Sequence, residues 1–167
     1  MKQALNMESR SFRIAHMPAL RLAGLSRRYP ATPEAMLLLA KQWQEFAHGA
    51  GGKLLAAGPV MYGVHIGLFG NSGEDEYFSG VEIGAKDTIP AGLIELRLPP
   101  MTCAVVEHDG SANEISYTTS TALTKWLPES GHRLLPLRPF DLIERYGKNF
   151  DPQTARGDIQ LIIPVES

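Results

Sequence analysis

The feature that most constrains this chain is an order of elements that occurs twice: extended segment, helix, then a pair of strands. Residues 12–29 read as extended chain broken at Pro18, and Thr32 caps a helix with Pro33 at its first position and Glu34 next. Met36, Leu39, Ala40, Trp43, Phe46 and Ala47 recur at helical spacing, and His48-Gly49-Ala50-Gly51-Gly52 stops the helix. Residues 60–69 and 76–84 then read as a hairpin split by Gly70-Asn71-Ser72-Gly73 and the acids Glu74 and Asp75. The second half restarts at residues 94–108, extended and broken at Pro99-Pro100. Asn113 caps a helix with Ile115, Thr119, Ala122, Leu123, Trp126 and Leu127 on its apolar side, ended by Pro128 and Gly131. Residues 140–146 and 158–165 are the last two strands.

An offset of about 82 positions places Pro18 on Pro100 and Gly24 on Val106, so the repeat lies in the elements and not in residue identity. The expectation is one α+β domain over residues 12–167 after a lead at 1–11, with halves at about 12–90 and 91–167. Each half is β-α-β-β with one main helix. Pseudo-twofold pairing of antiparallel sheets then leaves a concave ligand cleft between the halves.

Composition narrows the function classes. With 167 residues and 44% hydrophobic content the chain can bury a core without disulfide or metal, and its single cysteine, Cys103, allows no internal disulfide. Cys103 sits in the apolar run Thr102-Cys103-Ala104-Val105-Val106 and reads as an inert core thiol. No secretory signal is legible at the N-terminus, and no run approaches the ~18 apolar residues of a membrane span. The expected location is therefore cytoplasmic, with no membrane partner. A net charge of -2 disfavours nucleic-acid binding, and Arg21, Arg27 and Arg28 read as a solvated face.

Most chemical motifs fail. Gly49-Ala50-Gly51-Gly52-Lys53 resembles a phosphate loop but has Ala47 and Leu54 at the wrong positions and closes a helix instead of opening one. The histidines at 16, 48, 65, 108 and 132 show no metal-ligand spacing, and there is no nucleophile elbow. No cofactor or metal is expected.

One strand stands out. In residues 140–146 the strand period puts Phe140, Leu142, Glu144 and Tyr146 on one face, apolar except for a carboxylate. A buried carboxylate must be paired, protonated or facing a cavity. The structural alternative is a partner such as Arg97, Arg133 or a tyrosine hydroxyl. The functional one is a pocket carboxylate flanked by aromatics, which suits a cation. Tyr62, alternating with Val60, Val64 and Ile66 opposite the flat Gly63 and Gly67, joins the candidates. So do Phe78, which shares a face with Glu82, and Trp126, for which a core role is equally open.

The C-terminal third resembles the GyrI-like small-molecule-binding family, the effector-binding domains of AraC-type and multidrug-responsive MerR-type regulators. The residues that carry the likeness are Lys125-Trp126-Leu127-Pro128-Glu129-Ser130-Gly131, the stretch 140–147 with Glu144 and Tyr146, Phe150-Asp151-Pro152, and Ile159-Gln160-Leu161-Ile162-Ile163-Pro164-Val165. The duplicated element order extends it over residues 12–165. The resemblance implies an eight-stranded arrangement with a ligand cleft and places the family's pocket glutamate on Glu144, with Tyr146 two positions on. The dozen residues before the first strand are too few for a helix-turn-helix, so a stand-alone version without direct DNA contact is expected.

Three function classes follow. The leading one is a binding module for cationic or aromatic drug-like molecules, for sensing or sequestration. The second is a hydrolase of strained-ring compounds with Glu144 as general base and Tyr146 as orienter. The third is a gyrase-inhibitor-like protein-binding module. The sequence leaves open a protein partner and a homodimer. Haem binding, which the related SOUL domains imply, is disfavoured because none of the histidines falls convincingly on the pocket face.

Overall fold

The computed structural model describes residues 11–167; the rest of the N-terminal lead lies outside the described residues. Its strands are β1 (Phe12–Met17), β2 (Leu20–Pro30), β3 (Met61–Ile66), β4 (Glu74–Glu82), β5 (Ile94–Leu98), β6 (Met101–His108), β7 (Leu142–Tyr146) and β8 (Ile159–Pro164). They form one antiparallel sheet in the order β1-β6-β8-β7-β3-β4-β2-β5. Exchanging β1 with β5, β2 with β6, β3 with β7 and β4 with β8 reverses that order onto itself. The twofold relation therefore passes between β3 and β7, where Gly63 lies opposite Glu144.

Connection lengths force this sheet to curl. β1 and β2 stand six places apart in the sheet, as do β5 and β6, and a flat sheet would hold each pair about 29 Å apart. Only Pro18-Ala19 and Pro99-Pro100 join them, and such links reach about 11 Å at most. The two ends of the sheet must therefore meet. Accordingly Leu20, Leu22 and Leu98 from one end pack with Cys103, Val105, Met17 and Met101 from the other, together with Tyr62, Val64, Phe78, Phe140, Ile143 and Ile162. This inner face is filled by side chains. Cys103 is fully buried there, and burial pushes its thiol up to about 12, so it stays protonated.

The helices cover the outer face. The first helical region breaks into α1 (Pro33–Met36) and α2 (Leu39–His48), followed by α3 (Gly52–Ala56). Thr32 caps α1 through its hydroxyl, whereas Leu37 and Leu38 form an exposed turn where one continuous helix was expected. Phe46 is fully buried and Ala40 is exposed. Beside Phe46 the polar Gln42 is also fully buried: it accepts from the Tyr29 hydroxyl and donates to the Leu25 and Tyr77 carbonyls and to Ser79 Oγ. Its amide satisfies strand groups that an apolar residue would orphan.

The second helical region is capped by Ser111 in a capping box with Glu114, two residues before the expected Asn113. It continues as α4 (Ile115–Thr121), a π-helical turn (Ala122–Trp126) and α5 (Leu127–Ser130). Pro128, expected to end the helix, instead lies within it, directly after the π-helical turn, and Gly131 alone ends the helix at a φ of 81°. The single offset of 82 does not survive the sheet geometry. Gly24 points to the inner face and Val106 to the outer one, so related residues of β2 and β6 need an odd offset, as do Gly63 and Glu144.

Candidate functional site

Glu144 lies at the centre of β7, directly beside the twofold relation, and its side chain points to the helix-covered outer face. Strand parity puts Leu142, Glu144 and Tyr146 of β7 on the same face as Met61, Gly63 and His65 of β3 and Tyr77, Ser79 and Val81 of β4. Glu144 is only 7% exposed, so its carboxylate requires internal partners, and it has three. Oε1 accepts from the Tyr146 hydroxyl at 2.7 Å and the Tyr77 hydroxyl at 3.2 Å. Oε2 faces His65 Nε2 at 2.6 Å. The other ring nitrogen, Nδ1, lies 2.7 Å from Asp75 Oδ2. Trp43 of α2 donates its indole N–H to the Tyr77 hydroxyl at 2.8 Å. A helix of the first half is thus tied to the glutamate of the second.

The packing explains how such a cluster fits between two central strands. Gly63 stands opposite Glu144, and a Cβ there would meet the Tyr77 hydroxyl and come 3.0 Å from Glu144 Oε1. The flatness expected at Gly63 is the space in which Tyr77 reaches the carboxylate. Above the cluster stand aromatic rings: Trp43 is edge-on to Tyr146 at 6.2 Å, and Phe150 tilts against Tyr146 at 4.7 Å. Trp43, Trp126, Tyr146 and Phe150 share one apolar cluster. The Trp126 indole nitrogen is buried without a hydrogen-bond partner.

Electrostatics set the protonation states. Burial by itself would lower the His65 pKa, but the Glu144 charge and hydrogen bonds to both carboxylates outweigh it and raise the imidazole to about 9. Burial pushes Glu144 upward, yet the His65 charge, aided by hydrogen bonds from His65, Tyr146 and Tyr77, leaves it below the usual carboxylate value. Burial, then the Glu144 charge, raises both Tyr77 and Tyr146 well above an ordinary phenol. At neutral pH the centre is an imidazolium and a carboxylate, with two phenols as donors.

Several expectations need correction. Phe140 precedes β7 and packs in the inner-face cluster, away from Glu144. Tyr62 and Phe78 also belong to that inner cluster, so the sheet separates them from Glu144, Tyr146 and Trp126. Arg97 bonds to Glu95 at 2.6 Å on an exposed strand; the charged partner of Glu144 is a histidine instead of an arginine, while the tyrosine hydroxyl considered as an alternative is present twice, from Tyr146 and Tyr77. Asp75, expected in the turn, is a fully buried residue of β4. His65 does lie on the site face, but both of its nitrogens are engaged by carboxylates, leaving neither free as an axial ligand. A groove of about 620 Å³ does exist, at the sheet edge between Ala19, Leu20, Glu82, Ile83, Arg97 and Pro99, and none of the candidate ligand residues lines it. Among the described residues no group of three or more His, Cys, Asp or Glu could hold a metal ion, and no helix is long and apolar enough to cross a membrane.

Known structures share this architecture. SAV2435 bound to tetraphenylphosphonium matches with a TM-score of 0.69 at 16% identity, over 93% of this chain and 94% of that one. The C-terminal domain of EcmrR matches at 0.58 and 16% identity, over 93% and 97%. A hydrolase from Listeria innocua matches at 0.58 and 13% identity, over 99% and 98%. At these identities the likeness is one of fold. No curated protein sequence matches the chain. The model of the GyrI-like small molecule binding domain matches residues 10–166, so the chain belongs to the GyrI-like small-molecule-binding family.

Proposed function

We propose that the chain binds a small organic cation with aromatic surface on the helix-covered face, beside Glu144 and among Trp43, Trp126, Tyr146 and Phe150, for sensing or sequestration of that molecule. The observation that carries this reading is an ionised, almost fully buried carboxylate beneath an aromatic cluster at the junction of the two halves. Aromatic faces and a desolvated carboxylate both favour a weakly hydrated cation. The fold shared with SAV2435, which binds tetraphenylphosphonium, is consistent with it.

The test compares tetraphenylphosphonium with the neutral triphenylphosphine oxide by calorimetry. In Glu144→Gln the cation is expected to lose about tenfold or more in affinity, about 1.4 kcal/mol, while the neutral compound changes little. Equal losses for both would remove the charge argument.

A second reading, hydrolysis of a strained-ring compound, draws on the convergence of Tyr146, Tyr77 and His65 on one carboxylate. A glutamate held below its usual pKa is a weak general base at neutral pH, which favours binding over turnover. Conversion of an electrophilic substrate, abolished in Glu144→Gln, would reverse that preference.

A further inference from the structure

Glu144 already has a counterion. His65 Nε2 stands 2.6 Å from Oε2, and the two tyrosine hydroxyls occupy Oε1. An incoming cation therefore meets a neutralised pair, because Asp75 lies on the far side of the imidazole ring, at Nδ1. Two unit positive charges about 4 Å apart, at an effective dielectric constant of about 20, repel strongly enough to weaken binding on the order of a thousandfold. That penalty disappears when the ring is neutral.

We propose that His65 is the resident cation of this site, and that an organic cation binds by taking its place against Glu144 while the imidazolium gives up one proton to solvent. The inference rests on the cation-binding reading above and adds its regulation. The charges balance: the ligand brings one positive charge and the released proton carries one away. His65 keeps its Nδ1 proton, which it donates to Asp75. A lone pair on Nε2 cannot stay at 2.6 Å from a carboxylate oxygen, so Glu144 is freed to turn toward the ligand.

Among the described residues no second cation pairs with Glu144, and the charged neighbours of His65 are the two carboxylates themselves. The groups around His65 are Asp75 and Tyr77 from β4, Glu144 and Tyr146 from β7, and the uncharged Trp43 from α2, joined through Tyr77. Asp141, whose backbone N–H donates to the His65 carbonyl, is held by Arg138.

The experiment is calorimetric titration of the full chain with tetraphenylphosphonium, whose charge does not titrate, in phosphate and in Tris at the same pH. Near pH 7.5 close to one proton is expected to be released per cation bound. Affinity should then rise by up to tenfold per pH unit and flatten above pH 9, where His65 is already neutral. Nitrogen NMR of His65 in the unmodified protein should show a doubly protonated ring without the cation and a singly protonated ring with it. His65→Gln should bind without proton release and with a flat pH profile. Cation binding with no proton release, and a His65 ring that stays doubly protonated, would overturn the displacement while leaving the cation reading standing. Failure of tetraphenylphosphonium and other quaternary cations to bind at any pH would overturn both.

Discussion

Replacing His65 with leucine is expected to destabilise the protein by about 3–5 kcal/mol, the usual result of removing one partner from a buried ion pair. Leucine roughly fills the space but leaves Glu144 and Asp75 facing each other across an apolar side chain, and Asp75 Oδ1 already has no hydrogen-bond partner. The same pair gives stability a characteristic pH profile. The folded-state pKa of His65 is raised from 6.5 to about 9, so its contribution is complete below pH 6.5 and is lost as pH rises through 9. That of Glu144 is lowered from 4.5, so its contribution is complete above pH 4.5 and is lost as pH falls through the folded value. Urea midpoints should therefore be highest between pH 4.5 and 6.5 and fall toward pH 9 in the unmodified protein. Most of the alkaline fall should vanish in His65→Gln. A His65→Leu protein as stable as the parent would show that no ion pair exists at this position.

Gly63→Val is expected to cost about 1–3 kcal/mol through overpacking and to break the link between the two halves. Its branched side chain would enter the space now shared by the Tyr77 hydroxyl and Glu144 Oε1, two atoms that cannot both move without losing their hydrogen bond. Tyr77 is fully buried and holds the Trp43 indole as well, so displacing it also loosens α2. The effect separates from a generic strand defect in one way. Combining Gly63→Val with Tyr77→Phe should cost less than the sum of the two, because the shortened ring vacates the contested space. Strict additivity would show that the strain lies elsewhere.

How much of this was legible in the sequence depends on which contacts are local. Period-two alternation alone isolated Glu144 and Tyr146 on one face of β7, and helical spacing placed Trp126 on a buried stripe; in the structure Tyr146 bonds to Glu144 and shares an apolar cluster with Trp126. The same alternation failed at Phe140, because the strand begins at Leu142 and Phe140, two residues earlier, is free to turn to the other face. The alternation within their own strands singles out Tyr62 and Phe78 but does not say toward which side of the sheet those faces point. Only the register Gly63↔Glu144 shows that they point away from the carboxylate and that His65 points toward it. That register is a contact between halves, and no local pattern encodes it. A usable signal was nonetheless present. The face of β3 that carries Gly63 offers room for a neighbour, and the next side chain on that face is His65. Asp75 was hidden for a different reason: acids beside a Gly-Asn-Ser-Gly turn are ordinarily solvated, and here the strand starts one residue before it.

The central claim is that small molecules bind on the helix-covered face beside Glu144. The most direct measurement is a crystal structure of the protein with tetraphenylphosphonium. The expected result is the phosphonium against Glu144, its rings among Trp43, Trp126 and Tyr146, with Glu144 Oε2 no longer paired to His65. A cation seated instead in the edge groove between Leu20 and Arg97, or on the inner face beside Tyr62 and Phe78, with the pair between His65 and Glu144 intact, would contradict it.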